Sequence, residues 1–168
     1  DVIGLRRFTG DLTVETIDGG LGENVIDGGS GSNVLDFSGT SLVNIARIIG
    51  GGGVDTITGS SGNDVIVGGA QTDFLFGGGG DDDFVVLGTG DGFDEVNGGL
   101  GEDRIVGGDG DDTLIGGEGR DILSGGADAD IAIFGGSFTD YTVTVEAGAL
   151  TVTDGAGDAD TLYGIETL

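Results

Sequence analysis

At 168 residues and a formal net charge of −26, the chain has the length of one domain and a charge that repels nucleic acid and anionic lipid. It has no cysteine and no histidine, which removes disulfides, thiolate metal sites and the commonest general base. Glycine contributes 41 residues without any proline, which excludes collagen, and no apolar run approaches the roughly 18 residues of a membrane-spanning helix. Cations are the expected partners, with no nucleic acid and no membrane insertion.

Residues 1–18 read as a partial repeat and strand region, since Asp1-Val2-Ile3 looks like the end of a cut repeat unit. From Gly19 the chain follows a nine-residue period, Gly-Gly-x-Gly-x-Asp-x-U-x with U apolar, cleanest where GGDGDDTLI is followed by GGEGRDILS over residues 107–124. The copies starting at 19 and 28 carry Asn24 and Asn33 in place of the aspartate. Residues 37–49 then break the period. Their apolar members Leu42, Val43, Ile45, Ile48 and Ile49 predict one longer, glycine-poor coil turn rather than a linker. Copies at 50, 59, 68 and 77 restore the sixth-position acid as Asp55, Asp64, Asp73 and Asp82, with Gln71 replacing one glycine. Residues 86–88 are a three-residue insertion, after which copies at 89, 98, 107, 116 and 125 supply Asp94, Asp103, Asp112, Asp121 and Asp130. The repeat block thus covers 19–133. In the remaining segment, 134–168, Tyr141–Glu146 and Ala149–Asp154 alternate around Ala147-Gly148 and predict a β-hairpin. With Leu162, Ile165 and Leu168 it is expected to cap the last coil, as repeat stacks require.

The repeat unit explains itself as a six-residue turn followed by a three-residue strand. Glycine at positions one, two and four permits positive φ and lets carbonyls converge without a Cβ in the way. The strand x-U-x points its central residue to one side. Two units make an 18-residue coil, and stacked coils give two short parallel sheets with the U side chains packed between them. Units two apart are then stacked neighbours, which places Asp55 over Asp73, Asp64 over Asp82, Asp94 over Asp112, and Asp103 over Asp121. Carboxylates about 5 Å apart repel by roughly 3 kcal/mol per pair at an effective dielectric of 20. A hard cation with oxygen ligands reverses that sign, and calcium suits carbonyl-rich turns better than magnesium with its tight octahedron. Folding and metal binding are expected to be one coupled process.

Outward strand positions carry several apolar residues, among them Phe74, Phe76, Ile131 and Ile133. These mark a surface for packing on a neighbouring domain or for self-association.

In its nonapeptides the chain resembles the RTX (repeats-in-toxin) family of hemolysin-type calcium-binding proteins, over about residues 19–168. The tail, with IFGGSFTDYTVTVEAG and DADTLYGIETL, is similar to segments that follow such repeats. The resemblance implies an all-β fold, a right-handed parallel β-roll, holding several Ca2+ ions between adjacent turns. It implies Asp55, Asp64, Asp73, Asp82, Asp94, Asp103, Asp112, Asp121 and Asp130 as side-chain ligands. Gly50, Gly59, Gly68, Gly77, Gly98, Gly107, Gly116 and Gly125 open the turns and would be carbonyl donors. Asn24 and Asn33 bring no charge, so weaker sites are expected there. The family also implies type I secretion from a Gram-negative bacterium to the medium or cell surface, with folding on meeting external calcium.

Two function classes follow. The first is a non-catalytic calcium-binding module acting as scaffold or assembly element. The second is the calcium-binding part of a secreted protease, lipase, polysaccharide epimerase or toxin whose active domain lies elsewhere. The first is preferred, because the chain has no His-Glu-x-x-His, no Gly-x-Ser-x-Gly elbow, and acids confined to repeat turns. The abrupt start and end are expected to mark a piece of a larger secreted protein.

Overall fold

A computed structural model describes residues 2–4, 16–85, 92–146 and 149–168. The insertion at 86–88, with Thr89 and Asp91, lies outside the described residues, as do Asp1 and the Ala147-Gly148 link. The architecture is a parallel β-solenoid of about six turns. One sheet contains β1 (Val2–Gly4), β3 (Val25–Asp27), β6 (Arg47–Gly52), β8 (Val65–Ala70), β10 (Asp83–Val85), β12 (Arg104–Asp109) and β14 (Ile122–Ala127) in stacking order. It ends in β18 (Ala159–Tyr163), β17 (Ala149–Thr153) and β16 (Thr142–Glu146). The facing sheet stacks β4 (Val34–Asp36), β7 (Thr56–Thr58), β9 (Phe74–Gly79), β11 (Glu95–Leu100), β13 (Thr113–Glu118) and β15 (Ile131–Ala132). From β6 to β15 successive strands alternate between the sheets, as a nine-residue half-coil dictates.

The registers follow the period. Ile48 pairs with Ile66, Ile57 with Leu75, Val96 with Leu114 and Ile105 with Leu123, each eighteen residues apart. Pairs that straddle 86–88, such as Leu75 with Val96, are twenty-one apart. The U side chains form two facing files, Ile26 to Leu123 in one sheet and Leu35 to Ala132 in the other, all buried. Full burial of such a side chain contributes about 1.5–3 kcal/mol, so this narrow core carries most of the apolar stabilisation.

Several strands are longer than the three residues expected from the unit. β8, for example, runs on through Gly68-Gly69 to Ala70, because Gly69 takes its place in register opposite Gly51. There Gly69 has φ +123°, and a Cβ on it would collide with the Gly51 carbonyl oxygen. Alanine at that position would meet both a forbidden φ and a steric block.

The N-terminal coils have a third side. β2 (Thr16–Asp18) and β5 (Ser41–Val43) form a separate two-stranded sheet, and Ile26 pairs with Ile48 at a separation of twenty-two. The wider interior is filled by Phe37, fully buried, with Ile17, Leu42 and Ile45 packed against the core.

At the other end, β18 adds to β14 in parallel, placing Leu162 over Leu123. β17 and β16 then extend the sheet antiparallel. The side chain of Asp154 accepts the backbone N–H groups of Ala156, Gly157 and Asp158, which fixes the β17–β18 turn. Tyr141 donates its hydroxyl to the Gly135 carbonyl and meets Phe134 edge-on.

Candidate metal centre

Turns that lead from the first sheet to the second form one file, and the returning turns form the other. Sixth-position residues stack in each. The first file runs Asn33, Asp55, Asp73, Asp94, Asp112, Asp130, and the second runs Asp64, Asp82, Asp103, Asp121. All nine aspartates are buried. Burial of so many carboxylates with so few cations nearby demands a physical account, because an isolated buried charge costs several kcal/mol.

Half of each carboxylate but that of Asp64 is accounted for by hydrogen-bond ladders along these files. In the first file, Asn33 N–H donates to Asp55 Oδ1 at 2.7 Å, Asp55 to Asp73 at 2.8 Å, Asp73 to Asp94 at 2.6 Å, Asp94 to Asp112 at 2.9 Å and Asp112 to Asp130 at 3.0 Å. In the second, Asp64 donates to Asp82 at 2.8 Å, Asp82 to Asp103 at 2.8 Å and Asp103 to Asp121 at 2.9 Å. The second oxygen is different. Oδ2 of Asp55, Asp82, Asp103, Asp121 and Asp130 is buried without a hydrogen-bond partner. Each faces the first glycine of its own turn, where a Cβ would strike it. At Gly50 that Cβ would lie 2.5 Å from Asp55 Oδ2 and 2.6 Å from the Gly68 carbonyl of the next coil. Gly77, Gly98, Gly107 and Gly125 repeat the arrangement, each between its own aspartate and a carbonyl one coil on. Gly59 sits likewise between Asp64 and the Gly77 carbonyl, while Gly68 and Gly116 face Asp73 and Asp121.

Electrostatics agree with the geometry. Asp82 is pushed up to about 7, chiefly by burial, with the carboxylates of Asp103, Asp64 and Asp81 adding to it against the Asp64 N–H. Asp103 rises to about 6, again through burial and then Asp121 and Asp81. Burial also raises Asp55, Asp64, Asp121 and Asp130. These groups resist ionising in the fold as it stands, and a cation would remove the reason. Among the described residues no three acidic or sulfur side chains converge on one point. A cation here is therefore held by one or two carboxylates together with turn carbonyls, a donor set of hard oxygens that fits calcium.

Four positions depart from this pattern. In the 59–64 turn, serine replaces the second glycine, and Ser60 donates both its N–H, at 2.6 Å, and its hydroxyl, at 2.9 Å, to Asp64 Oδ2. The oxygen left unpartnered at Asp55, Asp82, Asp103, Asp121 and Asp130 is satisfied there. One coil earlier, Ala46 stands where the second file needs an acid, and its N–H goes to the Asn24 carbonyl instead. Asn24 itself is buried, donates to the Gly22 and Asn44 carbonyls, and keeps Oδ1 without a partner. Asn33 donates its amide to Gly31 and Asp55.

Two acids absent from the sequence-based ligand set take part in the ladders. Asp160 Oδ1 accepts the Asp121 N–H at 2.8 Å, and Glu166 Oε2 accepts the Asp130 N–H at 2.8 Å. The signal was present: Asp160-Thr161-Leu162 has the Asp-x-U spacing of a repeat. Burial pushes Asp160 up to about 6, with Asp121, Asp154 and Asp158 adding to it.

The outward residues Phe74 and Phe76 lie on the second sheet, with Ile131 and Ile133 beyond them. Two rungs stand between them, the polar Glu95 and Asn97 and then Thr113 and Ile115.

Comparison with known proteins finds the RTX calcium-binding nonapeptide repeat in residues 9–39, 49–84, 86–114, 97–132 and 106–141, most of the chain. No curated protein matches it.

Proposed function

Since the chain belongs to the RTX calcium-binding nonapeptide repeat family and binds several calcium ions as a β-roll, we propose that the ions are held in two files by the turn aspartates. In the first file the ligands are Asp55, Asp73, Asp94, Asp112 and Asp130, and in the second Asp82, Asp103 and Asp121. Carbonyls of Gly50, Gly59, Gly68, Gly77, Gly98, Gly107, Gly116 and Gly125 complete them. Asp64 ranks below the others because Ser60 already occupies its oxygen. Asn24 and Asn33 rank lowest, since an amide oxygen brings no charge. The observation that carries this reading is the set of buried, unpartnered Oδ2 atoms beside first-position glycines.

The module folds when calcium arrives. Without cations the raised carboxyls oppose closure of the stack, and with them the same groups become ligands. Such a chain suits secretion: it stays open where calcium is scarce and folds in calcium-rich medium outside the cell, where it serves as a scaffold. The repeat family is non-catalytic by itself, and any chemistry belongs to what the scaffold carries. Apolar residues on its outer face, Phe74, Ile131 and Ile133, support packing against a neighbouring domain or a second copy.

Circular dichroism and calorimetric titration test the proposal together. Calcium is expected to produce β structure with several ions bound per chain, and chelator to reverse both. Identical spectra in calcium and in EDTA would refute the folding claim. Loss of no ion on replacing Asp82, Asp103 and Asp121 together by asparagine would refute the ligand assignment.

A further inference from the structure

Two interior steps of the first file, at Asp55 and Asp112, show the same marks. A first-position glycine faces both its own aspartate Oδ2 and a glycine carbonyl one coil on, and the next carboxylate accepts the aspartate's N–H. These marks recur at Asp130, where the following segment is no longer a repeat. A Cβ on Gly125 would strike Asp130 Oδ2 and the Gly164 carbonyl oxygen, as one on Gly107 would strike Asp112 Oδ2 and the Gly125 carbonyl. Glu166 Oε2 accepts the Asp130 N–H at 2.8 Å. Asp130 is fully buried, and its Oδ2 has no hydrogen-bond partner.

Backbone register puts Glu166 at the sixth position of a further coil. Its N–H and that of Thr167 both donate to the Asp130 carbonyl, and the Thr167 carbonyl accepts the Ala132 N–H. Gly164, with φ +56°, takes the place of the first glycine. Only Ile165 separates the two, so a six-residue turn has been cut to three. The extra methylene of glutamate over aspartate compensates for the shorter turn. These residues lie beyond the matched repeats, which end at 141.

We propose that the C-terminal cap completes a calcium site of its own, in which Glu166 and the Gly164 carbonyl face Asp130 across the last coil. This rests on the reading that the repeat turns bind calcium. Calcium then fastens the cap to the roll, so that the final coil and its cover order together. Asp160 is not part of it: its carboxylate ends the second ladder, but a Cβ on Gly116 would strike Asp121 alone, with no carbonyl of the β17–β18 turn beside it as Gly164 stands beside Gly125.

Glu166→Gln keeps an acceptor for the Asp130 N–H and removes the charge. Ions per chain are counted at saturating calcium by equilibrium dialysis, with wild type and Asp160→Asn alongside. The expected result is one ion fewer, or one bound at least tenfold more weakly, in Glu166→Gln alone. An unchanged count and affinity, or an equal loss in Asp160→Asn, overturns the site and leaves Glu166 a ladder end. Absence of calcium from wild type would instead sink the calcium reading as a whole. Terbium, which takes the same oxygen ligands, gives a readout that needs no ligand variant. The chain has two tyrosines and no tryptophan, and Tyr163 directly precedes Gly164. Tyrosine-sensitised emission is expected from the terbium-saturated wild type and should fall several-fold in Tyr163→Phe. A dark wild type, or emission untouched by that change, overturns the proposal.

Discussion

Replacing Asp103 by asparagine changes one charge in the middle of a file and very little else. The amide oxygen still accepts the Asp82 N–H that Asp103 now accepts at 2.8 Å, and the Asp103 N–H still reaches Asp121. Its carboxylate neighbours stand one coil away on either side, about 5 Å at the usual strand spacing. Unscreened, each such pair costs about 3 kcal/mol at an effective dielectric of 20. Water and salt at the turns reduce the sum, so the calcium-free fold should gain about 1–3 kcal/mol from the substitution. With calcium the effect reverses. Asp103 adjoins the turns of both Asp82 and Asp121, so two sites lose a charged ligand, and a tenfold loss of affinity at each costs about 1.4 kcal/mol per site. Urea unfolding in excess calcium, and in EDTA with enough trimethylamine N-oxide to populate the fold, measures both arms. Stabilisation in EDTA with destabilisation in calcium is expected. A change of the same sign in both would refute the argument that these carboxylates are strained without a cation and satisfied with one.

Four further outcomes are expected. In EDTA the fold should be most stable near pH 4 and weaken as pH rises to 7. Asp82 holds its proton to about 7 and Asp103 and Asp160 to about 6, against 3.8 for an ordinary carboxyl, so the fold binds more protons than the unfolded chain across that window. Calcium should flatten that slope, and a stability that climbs with pH in EDTA would contradict it in urea titrations. Ser60→Gly takes the hydroxyl away from Asp64 Oδ2, leaving only the backbone N–H, and should tighten calcium binding at that turn by calorimetry, whereas no change would mean that the hydroxyl does not set Asp64 apart. Gly50→Ala puts a methyl group on Asp55 Oδ2 and the Gly68 carbonyl and should lower both calcium affinity and melting temperature, while Gly155→Ala, with open space around it, should be neutral in the same assays. Leu114→Ala removes a fully buried side chain from the core file and should cost about 2–5 kcal/mol in denaturant unfolding.

What the amino-acid order settles by itself is whatever repeats locally. Each nonapeptide carries its own turn glycines, its inward apolar residue and its acid, so one unit predicts the next. The core files from Ile26 to Ala132 and the stacking of Asp103 over Asp121 follow from spacing alone. Irregular segments do not obey that logic, because there the partner of a strand is chosen by packing and not by count. Thus Ala46 ends the second file only because Ile48 settles beside Ile26 at a separation of twenty-two. Asp160 joins the ladder thirty-nine residues after Asp121 because a hairpin returns Leu162 to Leu123. Glu166 reaches the Asp130 N–H through a turn half the usual length. Ser60 looks like a mild change from glycine, yet its hydroxyl and N–H cancel the feature that marks its neighbours. The period specifies where carboxylates can stack. Which of them keep an unsatisfied oxygen depends on three-dimensional neighbours, since a hydrogen bond or a ligand contact is made in space and leaves no fixed spacing in the chain.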